Sequence, residues 1–390
     1  MTNEHGDDFE AEARAAFRRH LKTLDPLIPA SRRLHPVATR ATTSRVTSGG
    51  AFRAPGVGLA AVAALVIVAA LAGPALLRPG AVASGSAEPS SKLVQTPQST
   101  LQNATTVQPQ VVASFGSDDL EAAVLGPDGA GYVIDKTDQT VYRIDLATGA
   151  RLAVMTGTPR LLAVGGSDVL ILDDRNAIWR WRPAPGGAVG AGTLTKLVVP
   201  GSVTWGSNVR ALGAYITNPL LGQYNLYVVI PGLQQVLRYP EAIDGSGWPT
   251  ALRSNYLALS RDLSRIDDLY VDGDVYLADG GEVDKFNFGQ ELKWAITLPP
   301  ASSLDAQAPY YAHLAYDPYT DMLVAYDRAN RRIIEARKSD GSVAQQFVAT
   351  GTAYLTNVRG MFVVDSRGGS TPKLCWTEGG NLMSAGLYRS

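Results

Sequence analysis

Six copies of one three-strand unit, beginning near residues 119, 160, 210, 265, 313 and 359, predict an all-β chain folded as a six-bladed propeller. Two further observations support that class. Short apolar runs broken by Gly, Pro, Asp and Asn leave no helix of any length in this region. The unit starts lie 41, 50, 55, 48 and 46 residues apart, the length of a four-stranded blade with variable loops.

The chain reaches the repeats through four pieces. Residues 8–24 (DFEAEARAAFRRHLKTL) predict a short amphipathic helix: Phe9, Ala13, Phe17, Leu21 and Leu24 fall on one face. Asp25-Pro26 stops it, because the residue before proline avoids the α region. A lone helix of this length is marginal in water, so its stripe either lies on a cytoplasmic partner or the inner leaflet, or frays. Residues 25–53 read as a basic tether, and residues 1–53 together form the expected cytoplasmic tail. Between Arg53 and Arg78 stand 24 uncharged residues, enough for one transmembrane helix over 54–78. The 50-residue polar leader argues against a cleavable signal peptide, although AVASGSA (81–87) has the look of a cleavage site. Residues 1–53 carry nine Lys and Arg, whereas residues 78–109 carry only Arg78 and Lys92, which orients the N-terminus to the cytoplasm and the bulk of the chain outside the cell membrane. Residues 79–109 (PGAVASGSAEPSS…) are too polar to bury a core and read as a disordered extracytoplasmic linker.

The propeller is expected over 110–390. The first unit shows the pattern: LEAAVL, a turn, GYVID (131–135), a tight turn, and TVYRID. The second strand recurs as VLILD (169–173), NLYVVI (225–230), VYLAD (275–279), MLVAYD (322–327) and KLCWTE (373–378). The sixth unit runs out after three strands, and QVVASF (110–115) is left over ahead of the first unit. That segment is expected to supply the missing outer strand, closing the ring and hiding its edges. Strings such as GYVIDKTDQTVYRID and DVYLADGGEVDKF make residues 111–390 resemble the NHL-type six-bladed propellers, notably extracytoplasmic sensor domains of bacterial receptor kinases. The resemblance implies a binding or sensing ectodomain. The tail of about 53 residues has no kinase motif, so signalling would pass through a separate partner.

Composition narrows the chemistry. A net charge of −1 offers no basis for nucleic-acid binding. One cysteine, Cys375, excludes an intramolecular disulfide and a thiolate metal cluster, and reads as a small apolar filler. The four histidines lack ligand spacing, and no serine elbow, zinc signature or phosphate loop occurs. No catalytic residue, metal site or cofactor is therefore expected. The acidic string 267–279 superficially resembles a calcium loop, but Tyr, Val and Leu alternate through it as in a strand. The acids closing the second strands (Asp135, Asp173, Asp279, Asp327, Glu378) are expected to accept turn amides. Aromatics Tyr310, Tyr311, Tyr319, Trp205 and Trp248 fall in loops, as a protein-binding face or as edge packing.

One repeat position stands out. Arg160, Arg210, Arg265, His313 and Arg359 open the innermost strands, where equivalent positions form a ring at one channel mouth. Such a ring attracts an anion, since guanidinium forks match carboxylate or phosphate. Alternatively each side chain pairs with a neighbouring blade's acid or carbonyls and fixes the register between blades, with Asp118, Asp119, Asp262, Asp267 and Asp268 available. These patterns favour a membrane-anchored, non-enzymatic module binding an anionic small molecule or an envelope protein. The competing functions are an exported propeller hydrolase or lactonase and an assembly scaffold.

Overall fold

The computed structural model describes residues 104–116, 119–184, 191–202, 205, 208–241, 247–248, 253–298, 307–364 and 371–387. The tail helix expected over 8–24, the span expected over 54–78 and most of the linker lie outside the described residues. Among the described residues no helix is long and apolar enough to cross a membrane.

Among the described residues two strands precede the repeats, β1 (Ala104–Val107) and β2 (Gln110–Ser114). Blade 1 follows as β3 (Leu120–Leu125), β4 (Gly131–Asp135), β5 (Thr140–Ile144) and β6 (Arg151–Thr156). Blade 2 comprises β7 (Pro159–Gly165), β8 (Asp168–Asp173), β9 (Ile178–Pro183) and β10 (Gly192–Leu197). Blade 3 comprises β11 (Ala211–Asn218), β12 (Gln223–Ile230), β13 (Gln235–Tyr239) and β14 (Ser254–Asn255). Blade 4 is β15 (Asp268–Val271), β16 (Val275–Asp279), β17 (Glu282–Asn287) and β18 (Gln290–Glu291). Blade 5 is β19 (Tyr311–Asp317), β20 (Met322–Asp327), β21 (Arg332–Arg337) and β22 (Val343–Ala349). Blade 6 is β23 (Met361–Val364), β24 (Lys373–Glu378) and β25 (Asn381–Gly386). Each blade is an antiparallel meander, so the six-bladed propeller expected from the repeats is the fold.

The expected closing strand is in place. β2 pairs antiparallel with β25, Ser114 opposite Asn381, and completes blade 6 from the other end of the chain. Regular structure is nevertheless present ahead of the boundary expected at residue 110. Within the stretch read as a disordered linker, β1 adds a fifth strand to blade 5, parallel to β22 with Val107 opposite Ala349. The Thr350 amide donates to the Val107 carbonyl at 2.9 Å, and Val107 is buried against Phe347. Val107 is the one apolar side chain this strand sinks, too sparse a signal for a periodicity reading to register.

The hydrophobic core is distributed over six clusters, each between neighbouring blades. Trp376 and Phe347 sit between blades 5 and 6, Tyr239 and Leu172 between 2 and 3, and Val133 and Phe362 between 1 and 6. Because a blade is covered on both faces, strands β4, β8 and β16 are buried at every position. Their sequences accordingly read as continuous apolar runs rather than as alternation. The outer strand β10 faces solvent and buries no residue. Trp205 and Trp248 do not form a loop surface: both are buried in the cluster between blades 2 and 3, where Trp205 Nε1 donates to the Tyr239 hydroxyl at 2.9 Å. Tyr311, likewise, opens β19 and is buried, whereas Tyr319 is exposed.

Candidate functional site

The second strands end, and the inner strands begin, at one mouth of the central channel; Tyr311 pairs with Asp327 and Leu120 with Asp135 there. Turn chemistry accounts for the acids at this mouth. Asp173 Oδ1 accepts the amides of Arg175 and Ala177, and its Oδ2 accepts Trp179 Nε1. Asp135 accepts the Thr137 and Asp138 amides. Glu378 takes the amides of Leu355 and Asn357 at 2.9 and 3.0 Å, together with Trp376 Nε1. These bonds hold its carboxyl below the usual range despite the opposing effect of burial. Asp327 accepts the Tyr310 amide and the buried Arg332 guanidinium. Asp279 differs, its carboxylate lying 3.5 Å from Arg261 and 3.7 Å from Arg265.

Three of the five ring residues make one and the same contact. Arg160 Nη2 donates to the Val209 carbonyl and Arg210 Nη2 to the Ser264 carbonyl, each at 3.1 Å. His313 Nε2 lies 3.1 Å from the Val358 carbonyl, so this nitrogen carries the proton, and Nδ1 lies 3.7 Å from Asp268. Val209, Ser264 and Val358 immediately precede Arg210, Arg265 and Arg359. Each side chain therefore pins the next blade at the matching repeat position. Burial pushes the Arg160 guanidinium down from its ordinary value, with Asp174 and Asp173 opposing the shift. Arg265 departs from the pattern. It is mostly exposed, turns to Asp279 of its own blade, and is not among the residues lining the channel. Arg359 is exposed, and its guanidinium makes no hydrogen bond or ion pair among the described residues.

The channel encloses about 650 Å³. Arg160, Arg210, His313 and Arg359 line it, together with Asp267 and Asp268, two of the acids expected near the ring, and with Arg328 and Glu121, which the sequence reading did not single out. Arg328 follows the acid that ends β20, at the repeat position held in blade 1 by Lys136, and that was its available signal. Beyond the charged positions the channel lining is largely apolar and includes Ala163, Ala214 and Ala315. At the far end Tyr270 and Tyr316 stack with centroids 5.7 Å apart, and Lys338 Nζ sits 4.6 Å above the Tyr316 ring.

The carboxylates of the acidic string 267–279 are shared out among protein donors. Asp268 accepts the Leu314 amide, Asp272 meets Lys338 at 2.6 Å, and Asp274 meets Lys285 at 3.0 Å. Among the described residues no group of three or more His, Cys, Asp and Glu is placed to hold a metal ion. Cys375 is buried between blades 1 and 6, and burial pushes its thiol up to about 12.

No protein-family model and no curated protein sequence matches the chain. Solved structures do. One is a Bacteroides thetaiotaomicron structural-genomics protein of unknown function, at 14% identity and TM-score 0.50, with 75% of each chain covered. An auxiliary nutrient binding protein from the same bacterium matches at 14% identity and TM-score 0.47, covering 70% of this chain and 69% of that one. A streptogramin B lyase matches at 12% identity and TM-score 0.44, covering 73% and 88%. At such identities the likeness concerns the fold alone, and the first of the three is the one that bears on it.

Proposed function

We propose that the chain is a membrane-anchored, extracytoplasmic propeller of the sensor type that binds an anionic ligand at the ring mouth of its channel and performs no chemistry on it. The observation that carries this reading is the set of exposed guanidiniums at that mouth. Arg328 and Arg359 make no side-chain hydrogen bond or ion pair among the described residues, and Arg210 spends one donor on Ser264. Most of their hydrogen-bonding capacity is available to a carboxylate or phosphate. A single exposed pair attracts by about 1 kcal/mol at 4 Å in water, and several converging donors at a partly enclosed opening add to more. The membrane anchor rests on the apolar segment 54–77 and on the Lys and Arg excess ahead of it.

Two measurements test the two halves. In thermal melts of the full-length chain in detergent, phosphate or citrate should raise the melting temperature, and Arg210→Gln with Arg359→Gln should abolish that rise. Since both side chains are exposed, the double variant without ligand should melt within about 2 °C of the parent. A large fall with an unchanged anion response would make these arginines structural. For the anchor, a reporter fused after Ser390 should read as extracytoplasmic, and a cytoplasmic readout overturns the orientation.

A further inference from the structure

Taken blade by blade, the charged side chains lining the channel have a pattern. Blade 1 contributes Glu121, blades 2 and 3 contribute Arg160 and Arg210, and blade 4 contributes Asp267 and Asp268. Blade 5 then contributes Arg328 beside His313, and blade 6 contributes Arg359. The order around the ring is acid, cation, cation, acid, cation, cation. Two guanidinium pairs therefore face one another across the axis, and acids separate them on both sides.

The acids are occupied by the protein itself. Glu121 is paired with Lys136, the Tyr310 hydroxyl donates to Asp267, and Asp268 accepts the Leu314 amide. These partners share out the acids' oxygens, and carboxylates at both breaks in the arginine pattern disfavour negative charge placed between them. A ligand with a single anionic head satisfies one pair and leaves the opposite pair unmatched. We infer that the ligand is a linear dianion, a dicarboxylate or its bis-phosphate counterpart. Its two charged ends each meet one arginine pair, and its middle carries no negative charge.

This inference rests on the reading of the ring mouth as a binding site and specifies its ligand. Two tethered heads bind better than either alone because the second meets its arginines at a high effective concentration, provided the spacer matches the span. The pairs stay put because their frame does: Arg160 is held on Val209, Arg210 on Ser264, and the Arg328 amide on the Tyr310 carbonyl at 2.8 Å.

The test is isothermal titration of the full-length chain in detergent with straight-chain dicarboxylates of increasing length, against acetate, butyrate and inorganic phosphate. Affinity should pass through a maximum with spacer length, and the best dicarboxylate should bind at least about tenfold more tightly than butyrate. Arg210→Gln and Arg359→Gln, on opposite pairs, should each cut dicarboxylate affinity to near the butyrate level, while butyrate affinity falls by no more than about twofold. Unchanged melting of the unliganded variants establishes that they fold. If butyrate or phosphate binds as tightly as every dicarboxylate, the dianion is wrong and the mouth remains a one-headed site. If no anion binds the parent chain, the reading of the mouth fails as well.

Discussion

At the scale of single residues, buried charge separates what can be changed from what cannot. Arg332 is buried, with Nε donating to Asp327 Oδ2 at 2.8 Å and Nη1 to Gln346 Oε1 at 2.9 Å. Arg332→Met strands a buried carboxylate and should cost about 3–5 kcal/mol in denaturant unfolding, whereas adding Asp327→Asn should recover part of the loss. Asp284 behaves differently. Burial pushes its carboxyl up to about 6, with Arg261 2.6 Å away opposing the shift and Glu282, Glu291 and Asp279 adding to it. A folded value above the ordinary one means the folded state holds the proton more tightly. The resulting stability is present below pH 4 and lost as pH rises towards 6, amounting to roughly 2–3 kcal/mol. Relative to Asp284→Asn, the parent should therefore lose melting temperature between pH 4.5 and 7, and a constant difference between the two would refute this. Legibility at this scale was uneven. The turn role of Asp135, Asp173, Asp327 and Glu378 followed from their place at strand ends, since a carboxylate there faces turn amides whatever the surroundings. Arg265 was misplaced because a repeat position fixes where a side chain starts and not which partner it takes. In blade 4 the buried carboxylate of Asp279, 3.7 Å from Arg265, competes with the neighbouring blade's carbonyl.

At the scale of elements, the third-strand turns depend on particular glycines. Gly341 has φ +76°, and a Cβ added there would lie 1.8 Å from the Ala295 carbonyl oxygen. The Thr297 amide also donates to the Gly341 carbonyl, so the segment cannot simply withdraw. Gly341→Ala should cost at least about 2 kcal/mol, which an unfolding titration would detect, whereas Gly129→Ala, whose Cβ meets open space, should cost about 1–2 kcal/mol for the backbone conformation alone. The two N-terminal strands can be ranked in the same way. Deleting 110–115 removes the outer strand of blade 6, while deleting 104–107 removes an accessory strand that buries one valine, worth roughly 1.5–3 kcal/mol. The first deletion should lower the melting temperature more than the second, and equal values would show that β2 does not close the ring. Strand β2 could be read in the sequence because counting blades left one strand owing. Strand β1 could not, because it completes no count. The full burial of Trp205 and Trp248 was not legible for a related reason: they lie in long connections, where periodicity is silent, and are buried in the cluster between blades 2 and 3.

At the scale of the whole molecule, the described residues hold the ring through six inter-blade clusters, largest between blades 5 and 6 and smallest between blades 6 and 1, rather than through one central core, and that is what leaves the axis open. The number of blades was legible because each unit must repeat the same contacts to bury its faces. The set of side chains lining the channel was not, since inward and outward directions at the mouth depend on blade twist. Pinning by Arg160 should matter more than by Arg210, because the former is half-buried and its carbonyl partner belongs to a buried valine. Arg160→Gln should lower the melting temperature by several degrees where Arg210→Gln hardly does, and the reverse order would refute the pinning role. The order in which the chain is fastened has a mechanical side. Strand β1 runs parallel to β22 towards the ring mouth, and β2 follows two residues later on another blade. Tension applied ahead of Ala104 therefore loads the β1–β22 ladder lengthwise, straining its bonds together, before any of it reaches the strand that closes the circle. Pulled from that end, the molecule should give way in two steps, a short slip of β1 at low force and then rupture of the ring, so that a modest pull is absorbed without opening the ring mouth.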